Sequence, residues 1–213
     1  MKTTIIEEAG FNTALYGFSL SYKDRSIDRE DWWYCDSSDN FTEYTIDEDD
    51  PISLRMRQTQ KTATANAGRG KGHDKFLRQI ILWVEINAPR YWWSEFDTYK
   101  VGTVAQSEST MHVLTRRDMD VYDLEQGCEQ DIQQEEVSLF NKARSRYANS
   151  IAELKKYVPE SYLQRRVVTM NYAVLRCIIE QRKNHKLPEW KMFIDEIYNQ
   201  AQHPELLPVI TND

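Results

Sequence analysis

The strongest constraint on the fold is the segment around Pro89, in which an apolar run meets an aromatic run. Residues 81–86 are apolar and rich in β-branched side chains, which favours a strand after a short helical start. Pro89 suits the first turn of a helix, because the N–H that it lacks would have no partner there. Beyond it, Trp92, Trp93 and Phe96 recur at the spacing of one helical face. We therefore predict a strand followed directly by a helix, with the two tryptophans in the core or at a subunit interface rather than stacked on a cofactor.

The rest of the chain shows a few strands and more helices. Residues 3–8 predict a short first strand, and the alternation at 165–170 predicts another. We assign helices to about 13–20, from 51 onward, to 135–158, to the residues after Asn171 as N-cap and from Pro188, and a weaker helix or loop to 101–112. This mixture predicts an α/β or α+β fold with a small central sheet flanked by helices. A length of 213 residues suits a single domain, with two small lobes as the alternative.

Charge is distributed unevenly along the chain. The formal net charge of −7 argues against a general nucleic-acid binder, which is usually basic. Residues 23–50 hold eleven Asp and Glu against three Lys and Arg, and we predict a long acidic surface excursion there. Residues 52–78 hold seven Lys and Arg against Asp74 alone, and include a Gly-rich loop at about 66–72 that we predict to be flexible. The contrast fits either plain solvated surface or a basic face for an anionic ligand.

Cysteine and histidine usage indicates the compartment and argues against a metal. Cys35, Cys128 and Cys177 are odd in number and far apart, which favours reduced thiols in a cytosolic protein. The four histidines show no spacing typical of zinc. No apolar run reaches the roughly 18–20 residues of a membrane span, and the first residues lack the apolar core of a signal peptide. We therefore expect a cytoplasmic protein with no metal and no membrane contact.

Two separated blocks carry motifs that match one known family. In the first block, Gly72-His73 precedes the strand, which runs into Ala88-Pro89 at the start of the helix. In the second block, Val158-Pro159 precedes the strand that ends in Thr169-Met170-Asn171, and Arg182 follows on the next helix. In this order and spacing the chain resembles the flavin-dependent thymidylate synthases (ThyX), over about residues 72–112 and 157–198. The segment from Tyr91 to Lys100 is also similar in sequence to phage-encoded relatives.

Several signature positions depart from that family. The family's Arg-His-Arg triplet falls at Thr98-Tyr99-Lys100, and the arginine of its Ser-x-Arg-Tyr motif falls near Thr110. A second family histidine falls at Gln79, and the last family arginine falls at Phe193. Because arginine forks bind a nucleotide phosphate well, these losses predict a weakened nucleotide site.

The resemblance implies a function in pyrimidine nucleotide metabolism. Family members methylate dUMP with reduced FAD, NADPH and methylene-folate, and the protein supplies binding and orientation rather than a nucleophile. The resemblance also implies a homotetramer with flavin and nucleotide at subunit interfaces, in the host cytoplasm if the chain is phage-encoded. The alternative is a catalytically inactive protein of the same fold that binds a nucleotide or another protein. The candidate nucleotide- or flavin-binding residues are His73, Glu95, Thr98, Tyr99, Lys100, Ser107, Ser109, Thr110, Arg165, Asn171 and Arg182.

Each candidate also has a purely structural interpretation. Arg165 and Arg182 fit ion pairs with nearby carboxylates as well as they fit a ligand. Lys100 fits the C-terminal end of a helix, where a cation is favourable. The hydroxyls from Ser107 to Thr110 fit a capped turn. These alternatives remain open from the sequence alone.

Overall fold

The computed structural model describes residues 1–22, 51–127 and 129–210. The acidic excursion predicted at 23–50 lies outside the described residues, as do Cys35 and Cys128. The strands are β1 (Lys2–Ala9), β2 (Ile81–Pro89), β3 (Thr103–Ser107) and β4 (Leu163–Asn171). The helices are α1 (Phe11–Ser19), α2 (Pro51–Asn66), α3 (Arg90–Phe96), α4 (Thr110–Val113), α5 (Gln130–Arg146), α6 (Ile151–Leu154), α7 (Tyr172–Arg182) and α8 (Pro188–Gln200), joined in places by short 3₁₀ turns.

The four strands form one antiparallel sheet in the order β1-β2-β4-β3. The predicted mixed α/β fold with a small sheet and flanking helices is therefore confirmed. The chain divides into two compact units: unit 1 comprises residues 1–6, 83–169 and 182–201, and unit 2 comprises residues 7–82, 170–181 and 202–213. Whether the two units form a single domain stays a prediction.

The strand and helix predicted around Pro89 are β2 and α3. Alternate residues of β2 are buried from Leu82 to Ala88, and Pro89 is the N-cap of α3 with extended backbone angles. In unit 1, Trp92 packs with its ring centroid 4.6 Å from that of Trp190 and 5.0 Å from that of Trp93. Both Trp92 and Trp93 are almost completely buried, and the Trp93 indole N–H donates to a main-chain carbonyl of β4. The paired tryptophans are therefore core residues, which was one of the two roles predicted for them.

Unit 1 has a second apolar cluster, built by α5 and α6. Residues 135–158, which were predicted to be helical, contribute to this cluster, with Val137, Phe140 and Leu154 buried in it. The prediction of one continuous helix is wrong, because α5 ends at Arg146 and α6 starts at Ile151. The polar residues 147–150 close a turn instead, in which the Ser150 N–H donates to the Tyr147 carbonyl over 2.9 Å.

The helix or loop predicted for residues 101–112 is also partly wrong, since Thr103–Ser107 is the edge strand β3. Four of its five side chains are exposed, so the sequence has no apolar alternation to indicate a strand. The chain stays beside β4 after the strand ends, where the Glu108 N–H donates to the Arg165 carbonyl over 2.8 Å.

Unit 2 is built on α1, α2 and α7. Its core includes Leu15, Phe76 and Leu175, and Phe11 stacks on His203. The buried Tyr172 hydroxyl donates to Glu8 over 2.6 Å. Burial, with the charge of that carboxylate, raises the pKa of Tyr172, which keeps the phenol protonated.

Candidate functional site

A polar cluster around the Glu95 carboxylate occupies one side of unit 1. One oxygen of Glu95, Oε2, accepts hydrogen bonds from the Arg182 guanidinium and from the Trp190 indole N–H, each over 3.0 Å. The same oxygen lies 3.2 Å from His185 Nε2. Arg182 also donates from Nε to the Tyr99 hydroxyl over 2.8 Å. Three predicted site residues, Glu95, Tyr99 and Arg182, therefore meet in one network.

The network already satisfies the arginine. Only 17% of the Arg182 side chain is exposed, and its guanidinium lies 4.8 Å from the centroid of the Trp190 ring. With a carboxylate and a phenol as partners, Arg182 serves the packing of α3 against the segment that begins α8. Arg182 therefore makes the ion pair that the structural interpretation predicted, and its role in ligand binding stays a prediction.

The other predicted residues of unit 1 lie on or near its surface. Lys100, Ser107, Ser109 and Arg165 are exposed, and Thr110 is half-buried. Neither Lys100 nor Arg165 has a carboxylate within ion-pair distance in the described part of the chain.

Two of the predicted hydroxyls have local backbone roles. Thr98 donates its hydroxyl to the Glu95 carbonyl over 2.7 Å. Ser109 is the N-cap residue of α4 but makes no side-chain capping bond, so the capped turn lacks its expected hydroxyl contact.

Unit 2 contains a cavity of about 650 Å³, a volume typical of small-ligand pockets, which is open to solvent and has mostly exposed lining residues. His73 and Gln79, which fall at the positions of two family histidines, both line it. Phe18 and Phe76 give it an apolar wall, with their ring centroids 5.1 Å apart. The remaining lining residues are Gly17, Ser21, Thr62, Asn66, Arg69, Gly72 and Lys75.

A chain of hydrogen bonds fixes one side of this cavity. Asn66, at the end of α2 and only 7% exposed, donates from Nδ2 to the Thr62 carbonyl over 2.8 Å. Its Oδ1 then accepts from the Arg69 guanidinium over 3.0 Å. Because α2 holds the amide in place, the amide orients the arginine at the cavity.

Asn171, also in unit 2, has a local structural role. Its side-chain oxygen accepts from the Val174 N–H over 3.0 Å, so it caps the N-terminus of α7 as predicted. Its assignment to a ligand site stays a prediction.

The described part of the chain has neither a cluster of metal-ligating side chains nor a helix suited to crossing a membrane. Within it, no group of three or more His, Cys, Asp or Glu side chains could hold a metal ion. None of its helices combines the length and the apolar character that a membrane crossing requires.

Sequence reasoning did not select Asn66, Arg69 or Lys75 as site residues. The available signal was the basic stretch at 52–78, which favoured an anion-binding face only as an alternative. The convergence of α1, α2 and the Gly-rich loop on one cavity is a long-range property that no local pattern carries.

Comparison with known proteins identifies the fold. No protein family model and no curated protein sequence matches the chain. Among solved structures, it is similar to thymidylate synthase X (ThyX) from Helicobacter pylori with FAD and dUMP, with a TM-score of 0.73 and 12% identity over 97% of both chains. A second structure of the Helicobacter pylori flavin-dependent enzyme, complexed with FAD and dUMP, matches with a TM-score of 0.72 and 11% identity over 97% of this chain and 98% of that one. The predicted resemblance is therefore confirmed at the level of the fold.

Proposed function

We propose that this ThyX-fold chain binds a flavin or a pyrimidine nucleotide and acts in pyrimidine nucleotide metabolism, by dUMP methylation or a related nucleotide modification. The observation that carries the proposal is the unit 2 cavity, where His73 and Gln79 meet beside Phe76. These are the positions of two family histidines, of which His73 is a predicted ligand-binding residue, and they are 6 residues apart in sequence yet line the same cavity. The two similar solved structures hold FAD and dUMP, which supports the choice of ligand class.

The cavity lining fits a ligand that has both a ring and a charged group. Phe76 offers an apolar wall to a ring, Gln79 offers an amide donor and acceptor, and Arg69 offers a planar fork of N–H donors. A bound flavin would supply the hydride chemistry, and the protein would supply orientation and electrostatics. NADPH and methylene-folate belong to the proposal only if methylation is retained.

A second candidate is a catalytically inactive binding protein of the same fold. The residues that stand at the family's arginine positions in unit 1 favour this candidate. Phe193 is completely buried, so this position offers no group to a ligand. Thr98 and Thr110 carry no charge, and Arg182 is engaged by Glu95. A phosphate would therefore find less positive charge at these positions than the family pattern provides.

The surface of unit 1 carries the rest of the proposed site. Lys100 and Arg165 are exposed cations near the edge strand β3, and Ser107 and Ser109 add hydroxyls. We propose them as contacts for ligand or for a second copy of the chain, since Val104 on the same strand is 69% exposed. Size-exclusion chromatography with light scattering measures the state of assembly, and a monomer at all concentrations would contradict the homo-oligomer.

Ligand binding tests the cavity directly. The purified protein is examined for a flavin absorption spectrum and then titrated with FAD and with dUMP. Gly17 lies in α1 at the cavity wall, where a Cβ would lie 3.6 Å from the Gln79 side-chain oxygen. We expect Gly17→Leu to project a bulky side chain into the cavity beside Gln79 and weaken binding, whereas Gly17→Ala, with an ordinary contact, should bind like the unchanged protein. A protein that binds neither ligand contradicts the proposal, and equal binding by Gly17→Leu removes the cavity from it.

Complementation of a thymidine-requiring bacterial strain separates the enzyme from the binding protein. Rescue of growth supports dUMP methylation. Failure to rescue, by a folded protein that binds dUMP or FAD in vitro, supports the inactive binding protein.

A further inference from the structure

The unit 2 cavity has a strong excess of positive charge. Arg69, His73 and Lys75 line it, and no described lining residue is acidic. The two permanent cations give the lining a formal charge of +2 with the histidine neutral. A phosphate monoester carries about −1.5 to −2 charges at neutral pH, so its charge matches that of the lining.

The charge of Arg69 is not compensated, because the partner of its guanidinium is a neutral amide. Its guanidinium donates to the Asn66 amide oxygen, and no carboxylate lies within ion-pair distance of it among the described residues. Arg176 in the same unit differs, since it lies 3.5 Å from the Glu180 carboxylate and donates to the Leu206 carbonyl. An arginine that is oriented by an amide retains donors and net charge for an anion.

The loop between the two cations is tightly folded. Gly70, Lys71 and Gly72 all have positive φ, at 61°, 53° and 89°, and Lys71 is the only non-glycine residue with positive φ in the described chain. The turn brings Gly72 against Lys75, because a Cβ at Gly72 would lie 2.9 Å from Lys75 Cε. Left-handed backbone at a non-glycine residue is unfavourable and persists where surrounding structure supports it, as it often does in ligand-binding loops. A side chain at position 72 would therefore displace the end of the Lys75 side chain.

We propose that the unit 2 cavity is a phosphate site, in which Arg69 and Lys75 bind the phosphate group of the ligand and Phe18 and Phe76 flank its ring. The identity of the ring rests on the proposed function, whereas the assignment of the phosphate does not. Two sources share this chemistry, a nucleoside monophosphate and the phosphate of a flavin nucleotide. The Arg69 fork grips the phosphate oxygens, Lys75 adds a point charge, and Asn66 is the residue that positions the fork.

The test compares phosphorylated with unphosphorylated ligands. dUMP is titrated beside deoxyuridine, FMN beside riboflavin, and inorganic pyrophosphate serves as a probe without a ring. We expect Arg69→Gln and Lys75→Gln each to weaken binding of the phosphorylated ligands about tenfold or more, as the loss of a charge-assisted hydrogen bond does. Binding of deoxyuridine or riboflavin should stay unchanged, and the phosphate-dependent part should weaken as salt is raised.

Matched controls come from the same loop and turn. Arg78→Gln and Lys71→Gln remove the same charges from exposed residues that do not line the cavity. Arg69→Lys keeps the charge but loses the fork, so we expect it to recover part of the affinity. Circular dichroism and thermal unfolding establish that each variant is folded, and Arg69→Lys carries the test if Arg69→Gln does not fold.

The outcomes separate the phosphate site from the proposed function. If dUMP and FMN bind, and Arg69→Gln and Lys75→Gln bind them like the two controls, the phosphate site is overturned and the proposed function stands. If pyrophosphate binds through Arg69 and Lys75, and dUMP, FMN and FAD bind no more tightly than pyrophosphate, the phosphate site stands and the proposed function fails. Absence of binding by every phosphorylated probe overturns both.

Discussion

Removal of the Glu95 carboxylate tests whether the unit 1 network is structural. Glu95→Ala removes the charged partner of Arg182 and leaves the indole N–H of Trp190, a completely buried residue, without its acceptor. A hydrogen bond to a charged group contributes about 1.5–3 kcal/mol, and a buried donor left unsatisfied costs about 1–3 kcal/mol. The Glu95 side chain is 32% exposed, so the lower ends of both ranges apply. We expect Glu95→Ala to lower the free energy of unfolding by about 2–3 kcal/mol, from these two losses taken together.

Glu95→Gln separates charge from hydrogen bonding. The amide oxygen still accepts from the Trp190 indole but no longer pairs with a cation. We therefore expect a smaller loss, of about 1 kcal/mol. Urea unfolding followed by tryptophan fluorescence suits the measurement, because four of the six tryptophans lie in unit 1.

A double-mutant cycle completes the argument. Combining Glu95→Ala with Arg182→Ala should give a coupling energy of about 1–2 kcal/mol, because the second substitution removes the charge that the first left unpaired. Arg165→Ala is the control: an exposed arginine without an ion pair in the described residues should change stability by less than about 0.5 kcal/mol. A Glu95→Ala protein of unchanged stability would refute the structural role. An Arg182→Ala protein that keeps its stability but loses dUMP affinity tenfold would show instead that Arg182 serves a ligand.

Three further substitutions test other parts of the structure. Gly17→Ala should raise the free energy of unfolding by about 0.5–1 kcal/mol, as measured by urea unfolding, because Gly17 is exposed within α1 and a Cβ meets only an ordinary contact there. Asp123→Asn should lower the free energy of unfolding by about 1 kcal/mol at pH 7. Burial raises the pKa of Asp123, but its hydrogen bonds and the charge of Arg117 together outweigh this effect and lower the pKa. The stabilisation by this carboxylate is therefore present above the unfolded-state pKa and is lost as the pH falls through the folded-state value. The variant and the unchanged protein should therefore become equally stable in acid, and a difference that persists there would contradict the role of the charge. Leu206→Ala should cost about 2–4 kcal/mol, since Leu206 is completely buried in unit 2, and a loss below 1 kcal/mol would contradict its place in the core.

The parts of the fold that the sequence predicted correctly are those that short-range rules determine. Pro89 marks the change from β2 to α3, because its missing N–H leaves no helical hydrogen bond unmade at a helix start. Asn171 was predicted as a cap because its side chain can reach an N–H three residues ahead, and it does so at Val174. The helix predicted from Pro188 was also correct, since α8 begins there and buries Trp190 and Phe193 at helical spacing.

The features that the sequence did not predict depend on distant partners. The edge strand β3 has almost no buried side chain, and its position beside β4 comes from backbone pairing with residues about 60 positions away. The pairing of Glu95 with Arg182 joins residues 87 positions apart, so the sequence left the structural and ligand roles of the arginine equally open. Likewise, the basic stretch at 52–78 was visible, but nothing local showed that Asn66 would orient Arg69.

Net charge, more than the presence of an arginine, decides where a phosphate can bind in each unit. In unit 1, Arg182 and the Glu95 carboxylate 3.0 Å away have a combined formal charge of zero, and a dianion would have to compete with that carboxylate for the guanidinium. In unit 2, Arg69 has an amide partner that orients it without cancelling its charge, and Lys75 adds a second cation. An anion that reaches the cavity therefore gains attraction from both cations without first displacing a carboxylate. In the phosphate site that we propose for unit 2, Arg69 and Lys75 take over the role of the arginines that the family pattern has in unit 1, where Lys100 and Arg165 remain as exposed cations.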